Sequence, residues 1–166
     1  IEKLSVQTGI RATMYNNIKD FWGADPKVTL KWIPQKQHHI SFHYGHYHQY
    51  IHHINISNFG LPLDYYTLAN GRLRPGRSHT ASVAWQYVTP EHTYETNIEI
   101  YYKKLFHQAE YFGALLDIIS RPYDMYNTFV HGKGRNYGVN VLIKRNRGVL
   151  TGWISYALSR SERLFP

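Results

Sequence analysis

Apolar and polar side chains alternate most regularly near the end of the chain, over residues 132–166. In the first arm of this stretch an apolar residue stands at nearly every second position, and only Leu142 interrupts the pattern. A tight turn at 146–148 leads into a second arm with the same alternation, apart from Trp153. The alternating apolar residues are Tyr137, Val139, Val141, Ile143, Leu150, Ile154, Tyr156 and Leu158. The pattern predicts a β-hairpin whose arms have about ten residues or more, close to the length of a tilted membrane-spanning strand.

The same alternation predicts five further strands upstream. They cover roughly residues 4–15, 27–32, 38–50, 79–87 and 94–103, and beyond Gly45 the alternation becomes difficult to assign to a face. Each predicted strand has one apolar side and one polar side, and turn-forming residues separate it from the next. The sequence therefore predicts an all-β protein, an antiparallel up-and-down meander of about seven long strands.

The predicted connections alternate between long and short. Long connections at 16–26, 51–77 and 107–131 follow or precede short ones at 34–37, 89–93 and 146–148. Such alternation is typical of a transmembrane β-barrel, in which tight periplasmic turns lie opposite long extracellular loops. The stretch 51–77 is then expected to be an irregular functional loop or lid. Residues 109–119 fit either a helical turn or a continued strand.

Aromatic residues on the apolar side cluster beside the predicted short turns. Trp32, Trp85, Tyr87 and Tyr94 all stand within a few residues of a turn. An aromatic girdle at the membrane interface is expected at this position of a barrel strand. The pattern favours strands that cross a membrane with the short turns on one side.

The segment GKGRNYGVNVLIKRNRGVLTGWISYALSRSERLFP resembles mid-barrel segments of TonB-dependent outer-membrane receptors of Bacteroidetes-type bacteria. The glycine-rich entry, the basic turn, the LTGWISYALSRSER strand and the aromatic-proline ending carry the resemblance. Weaker similarity extends through LPLDYYTL, RPGRSHTASVAWQY and TNIEIYYKKL. Asn140 departs from the family pattern, since many relatives have a glutamate at this point.

The resemblance implies that residues 1–166 are a partial barrel domain, without a plug domain or signal peptide, located in the bacterial outer membrane. Large plugged transporters have about 22 strands, so seven strands would form about a third of one barrel. The implied activity is uptake of a scarce ligand, such as a metal-siderophore complex, cobalamin or a glycan. The implied partners are outer-membrane lipid, the protein's own plug domain, the TonB complex and the small ligand.

Composition narrows the other classes of function. The formal net charge of +8 comes from lysines and arginines scattered one or two at a time, so a nucleic-acid partner is not expected. The absence of cysteine excludes thiolate catalysis. Glu95 and Glu99 would lie about 13 Å apart along a strand, too far for a catalytic carboxylate pair. We therefore expect no enzyme activity and no cofactor.

Two groups of residues are candidates for binding. Possible ligand contacts in the lumen or loops are His43, Asp64, Tyr66, Arg72, Glu99, Tyr101 and Asn140. Seven histidines also lie between His38 and His53, and His46 and His48 share a strand face at a spacing that suits a shared metal ion. No acidic residue or cysteine lies among them, so the expectation is no metal site.

A soluble β-barrel or sandwich that binds a small ligand is the alternative. Such a protein could bind a metal ion or haem through the His38–His53 cluster. Alternation does not separate the two classes, because an apolar strand face fits either lipid or a protein core. The mean hydropathy of −0.48 does not separate them either, since alternating strands hide a lipid-facing surface from such averages.

Overall fold

A computed structural model of the protein describes residues 3–16, 20–56, 63–111 and 125–166. Most of this described part lies in nine β-strands. They are β1 (Leu4–Asn16), β2 (Asp20–Gln35), β3 (His38–Gln49), β4 (Ile51–Ile56), β5 (Leu63–Leu68), β6 (Gly76–Val88), β7 (Tyr94–Tyr111), β8 (Phe129–Arg145) and β9 (Gly152–Leu164), with a 3₁₀ turn at Met125–Thr128. Within these ranges no helix has the length and apolar character needed to cross a membrane.

Seven of the strands form one antiparallel sheet in the order β1-β2-β3-β6-β7-β8-β9. Every pair of neighbours is antiparallel, and β4 and β5 form a separate two-stranded sheet. The predicted all-β meander of seven long strands is therefore confirmed.

An unbroken apolar row crosses the whole sheet. Its members lie directly opposite one another from strand to strand, and they are Val6, Leu30, Phe42, Val83, Ile100, Val139 and Leu158. Val6, Ile100 and Leu158 are 58%, 59% and 62% exposed, so the described part of the chain does not cover this face. The face predicted from alternation is therefore apolar along this row and exposed in the described structure.

The opposite face carries polar rows. One step along each strand from the apolar row stand Gln7, Thr29, His43, Ser82, Tyr101, Gly138 and Ser159, again directly opposite one another. Since successive side chains of a strand point to opposite faces, the two rows define an apolar side and a polar side of one sheet. The buried apolar residues of the described part are few, namely Ala69, Leu73 and Leu105.

The second strand begins earlier than the sequence predicted. Glycine, aspartate and proline at 16–26 suggested a long connection, but β2 starts at Asp20 and pairs with β1 over its whole length. Pro26 is tolerated because backbone pairing of β2 with β3 ends at Lys27–Gly45, next to this residue without an N–H. Only residues 17–19 separate β1 from β2, so the predicted alternation of loop lengths is wrong at this point.

The stretch 51–77 was predicted as an irregular loop, and this prediction is also wrong. It contains the β4–β5 hairpin, and its last residues already belong to β6. The Ala69 amide donates to the Tyr50 carbonyl at 2.8 Å, which ties the two ends of the hairpin together. The Asn70 side chain then accepts from the amides of Arg72 and Leu73 at 2.9 and 2.8 Å, forming a compact turn before β6.

The predicted long connection at 107–131 is shorter at both ends. β7 continues to Tyr111 and β8 begins at Phe129, and these two residues pair with each other. Residues 109–111 are therefore in a strand rather than a helical turn, while the rest of the possible helix, 112–119, lies outside the described residues.

The short connections lie where they were predicted. β2 and β3 are joined by residues 36–37, β6 and β7 by 89–93, and β8 and β9 by 146–151, slightly longer than the expected 146–148. In the middle turn Thr89 Oγ1 accepts from the amides of Thr93 and Tyr94 at 3.1 and 3.0 Å. Beside these turns the rings of Trp85 and Tyr87 contact His38, with centroids 5.8 and 4.9 Å apart, so the aromatic residues cluster at this end of the sheet.

Candidate functional site

The centre of the polar face brings several predicted site residues together. His43 Nδ1 is 3.0 Å from Thr29 Oγ1, and its Nε2 is 3.1 Å from the Tyr47 hydroxyl. A neutral imidazole has one N–H, so one ring nitrogen donates and the other accepts. These two contacts fix the His43 ring on the polar face.

Tyr101 lies in the same cross-strand row as His43, with Ser82 between them. On its other side Tyr101 is opposite Gly138. A Cβ at Gly138 would lie 2.9 Å from the Tyr101 hydroxyl and 2.5 Å from the Leu158 carbonyl oxygen. Glycine at this position therefore makes room for the tyrosine ring and for close approach of β9.

Glu99 and Asn140 are direct partners in the β7–β8 register. Asn140 Nδ2 donates to Glu99 Oε2 at 3.4 Å. The asparagine thus gives Glu99 a neutral hydrogen-bond donor. Four of the predicted candidates, His43, Tyr101, Glu99 and Asn140, share one face of the central sheet.

A concavity of about 530 Å³ opens on this polar side, towards the end of the sheet away from the short turns. Four cationic residues line it, and no aspartate or glutamate is among its lining residues. The cations are Arg11, Arg77, Lys103 and Arg163. Positive charges gathered around one concavity attract anions, so this concavity suits a negatively charged solute.

A second cluster forms around Asp25, whose side chain is 3% exposed. Arg11 Nε and Nη2 donate to Asp25 Oδ2 at 3.0 and 2.6 Å. His48 Nδ1 donates to Oδ1 at 2.6 Å, and His46 Nδ1 lies 3.9 Å from the same oxygen. His46 also donates to the Ala24 carbonyl at 3.2 Å. These side chains bridge β2 and β3 where the backbone pairing of the two strands has ended.

The remaining candidates lie beyond the central sheet. Arg72 Nη1 donates to Asn127 Oδ1 at 3.0 Å, and the Tyr66 ring contacts that of His53 at a tilt of 37°, with ring centroids 5.0 Å apart. Asp64 is opposite Asn55 in the β4–β5 hairpin, but its side chain is outside the described part. These three residues belong to the hairpin region and do not join the polar row.

His52 is the buried histidine of the β4–β5 hairpin, with 8% exposure. Burial lowers its pKa, a backbone hydrogen bond with Arg74 partly opposes this effect, and His131 adds a small repulsion. Its Nε2 is buried without a hydrogen-bond partner in the described structure. The neutral form of His52 is therefore favoured in the folded hairpin.

Sequence reasoning missed Asp25 and Arg11 as site residues. Asp25 was assigned to a connection, and it stands 23 residues before His48, so no local pattern joins them. Extending the alternation of β2 back to Asp20 would have placed Asp25 on the same face as Thr29, the polar face that Arg11 also shares. A correct start of β2 was the missing signal.

Comparison with known proteins gives a similarity of fold. No protein-family model and no curated protein matches the chain. The FrpB iron transporter from Neisseria meningitidis (F3-3 variant) is similar in structure, with a TM-score of 0.70 and 12% sequence identity over 99% of this chain and 24% of that chain. The chain thus spans about a quarter of the length of this solved transporter. The seven-stranded meander has the fold of a section of a barrel transporter.

Proposed function

We propose that the chain is a section of the barrel of a TonB-dependent outer-membrane receptor that takes up a scarce small ligand. The observation that carries the proposal is the apolar row from Val6 to Leu158, which is unbroken across seven strands and uncovered in the described structure. A polar row lies directly behind it. A barrel wall needs this arrangement, with one face towards lipid and the other towards a lumen.

The aromatic cluster beside the short turns supports the same orientation. Trp32 and Trp85 lie in one cross-strand row on the apolar side, and Tyr87 and Tyr94 lie closer still to the turns. Their amphipathic rings suit the boundary between hydrocarbon and headgroups. In this proposal the short turns face the periplasm and the β4–β5 hairpin faces the cell exterior.

The two outer strands support a larger barrel. In the described structure β1 pairs only with β2, and β9 only with β8. Long exposed edges invite further pairing, and a closed barrel removes them. Additional strands of the same protein would cover β1 and β9, and a plug domain and the TonB complex would be the partners of the whole receptor.

The cationic concavity narrows the ligand class. Lys103 and Arg163 line it from the polar side and would attract an anion into the lumen, whereas the charge of Arg11 is balanced by Asp25. Among metal-siderophore complexes, cobalamins and glycans, an anionic metal-siderophore complex fits this charge best. The resemblance of residues 132–166 to Bacteroidetes-type receptors and the fold shared with an iron transporter both support uptake as the activity.

Lipid exposure of adjacent residues tests the proposal. The chain has no cysteine, so a single cysteine carrying a fluorophore is introduced at position 100 or 101 of the natural full-length protein, with any cysteines elsewhere replaced. Both proteins are reconstituted with lipids that carry a nitroxide in the acyl chain. Because Ile100 is on the apolar face and Tyr101 on the polar face, strong quenching is expected at 100 and weak quenching at 101.

The soluble alternative gives the opposite result. If the label at 100 is protected from the lipid quencher, and the protein remains monodisperse without detergent, the apolar face is a protein core and the proposed function is wrong. Equal quenching at both positions would also contradict a barrel wall with two distinct faces.

A further inference from the structure

Three metal-ligating side chains converge between β2 and β3. The ligand atoms of Asp25, His46 and His48 all lie within 4.8 Å of one another. We propose that these residues form a binding site for a divalent first-row transition-metal ion of the zinc type. The proposal concerns residues of two neighbouring strands and does not depend on the proposed transport activity.

The spacing of the ligand atoms suits a small ion. Two ligands that each lie about 2.0–2.1 Å from a tetrahedral zinc ion are roughly 3.3 Å apart. Asp25 Oδ1 lies 2.6 Å from His48 Nδ1 and 3.9 Å from His46 Nδ1, so the two observed separations fall on either side of that value. All three ligand atoms lie within 4.8 Å of one another, so adjustments of the two rings would bring both nitrogens and the oxygen to one ion.

The donor set selects the class of metal. One carboxylate oxygen with two imidazole nitrogens suits zinc and its neighbours, whereas magnesium and calcium prefer oxygen donors alone. Three protein ligands also leave a fourth position for water or for a group of a bound molecule. The side chains of His46 and His48 are only 16% and 15% exposed, so an ion there would be largely enclosed.

Arg11 prepares the carboxylate for this role. Its two hydrogen bonds to Asp25 both go to Oδ2, and a third goes to the His48 carbonyl at 3.4 Å, so Oδ1 is left to face the two histidines. A metal-bound histidine is a neutral imidazole with its hydrogen on the other ring nitrogen, so on metal binding His48 exchanges the proton of Nδ1, through water, for one on Nε2. The His46 ring makes the same exchange of its Nδ1 proton for one on Nε2, and it gives up the hydrogen bond of Nδ1 to the Ala24 carbonyl.

The position in the sheet makes convergence possible. Backbone pairing between β2 and β3 ends at Lys27–Gly45, immediately before the cluster. Side chains from both strands therefore enter the widened gap. Metal binding there breaks no backbone hydrogen bond between β2 and β3. His79 lies beside the cluster, with its ring centroid 4.6 Å from that of His46, while its Nδ1 is 2.8 Å from the Tyr44 hydroxyl.

Metal titration of the purified full-length protein tests the site. The protein is treated with chelator in detergent, dialysed and titrated with Co²⁺, whose visible absorption reports ligand number, and with Zn²⁺ in a calorimeter. One ion per protein is expected to bind at this site. Asp25→Asn, His46→Gln and His48→Gln should each weaken binding by more than the roughly 10- to 100-fold effect of losing an outer partner of a metal ligand.

His43→Gln is the matched control, because His43 is on the same strand but contacts Thr29 and Tyr47 instead. It should leave the titration unchanged. X-ray absorption of the zinc-loaded wild-type protein adds a measurement that needs no variant, and two imidazoles with an oxygen donor are expected. Absence of saturable binding, a spectrum without imidazole, or equal affinity in His48→Gln and His43→Gln would overturn the proposal.

Discussion

Arg11 and Asp25 face each other across β1 and β2, and Nε and Nη2 of the arginine both donate to Oδ2 of the aspartate. Asp25 is 3% exposed, whereas Arg11 is 60% exposed. The arginine therefore reaches from the surface to a carboxylate that water does not reach. A buried carboxylate is tolerated only with such partners, so this pair is important for the β1–β2 edge of the sheet.

Arg11→Met should destabilise the protein by about 1–3 kcal/mol, because it leaves the buried Asp25 oxygen without its donors. Urea unfolding in the presence of chelator measures the loss. Arg135→Met is the matched control, since Arg135 and its partner Glu162 form a more exposed pair across β8 and β9, and it should change stability much less. Equal effects of the two substitutions would contradict the importance of burial at Asp25.

Val83→Arg should impair assembly in the membrane, and Ser82→Arg should be tolerated. Val83 lies in the apolar row between Phe42 and Ile100, so an arginine there would cost about 2–4 kcal/mol near the bilayer midplane. Ser82 points to the polar face. Folding into lipid vesicles, followed by mobility on an unheated gel, measures both. Similar assembly of the two variants would show that the faces are not in different environments.

Gly138→Ala should disrupt the pairing of β8 with β9. The added Cβ would lie 2.5 Å from the Leu158 carbonyl oxygen and 2.9 Å from Ser159 Cβ, so the strands must move apart, at a cost of about 1–3 kcal/mol. Gly152→Ala is the control in the same hairpin, because a Cβ added there would have no atom within 4 Å. Urea unfolding should show a clear loss for Gly138→Ala and little change for Gly152→Ala.

The β4–β5 hairpin should open more readily in acid because of His52. Burial lowers the pKa of His52 in the folded hairpin below its ordinary value of 6.5. The unfolded hairpin therefore binds more protons, and stability is full above pH 6.5 and falls as the pH drops below it. Hydrogen exchange of the Ala69 amide, corrected for the intrinsic rate, should report this opening.

Two variants separate this effect from general acid sensitivity. His52→Gln should remove the extra opening between about pH 6.5 and 5, while His53→Gln, at the exposed neighbouring position, should keep it. If only His53→Gln removed the pH dependence, the effect would belong to His53, and the prediction for His52 would be wrong.

The two faces of the sheet could be predicted from sequence because apolar and polar residues alternate within each strand. Val83 and Ile100 alternate with polar neighbours on long strands, and their apolar positions then meet in one row. The start of β2 could not be predicted in this way. Gly23 and Pro26 disfavour a strand locally, and the pairing of Met14 with Trp22 and of Ile10 with Pro26 overrides that preference.

The difference between local alternation and strand register also explains which candidate residues could be placed on a face from the sequence. Face alternation alone predicts His43, Tyr101 and Glu99 on the polar side, where the structure has them, and their binding role stays a prediction. Asp25 required knowledge of a strand pairing and of the gap beyond Lys27, neither of which is visible in its neighbours along the chain. Cross-strand meetings of this kind depend on register, which local pattern does not state.

The hydrogen bond between Ala69 and Tyr50 has a consequence for how the chain tolerates change. It joins the two ends of the β4–β5 hairpin. The pairing of β3 with β6 continues without interruption up to Gln49–Gly76, where the chain leaves the sheet for the hairpin. An excursion with adjoining ends can be lengthened, shortened or exchanged at a small cost in closure entropy. The β4–β5 hairpin can therefore diverge in length and sequence while the register of all seven strands of the main sheet stays the same.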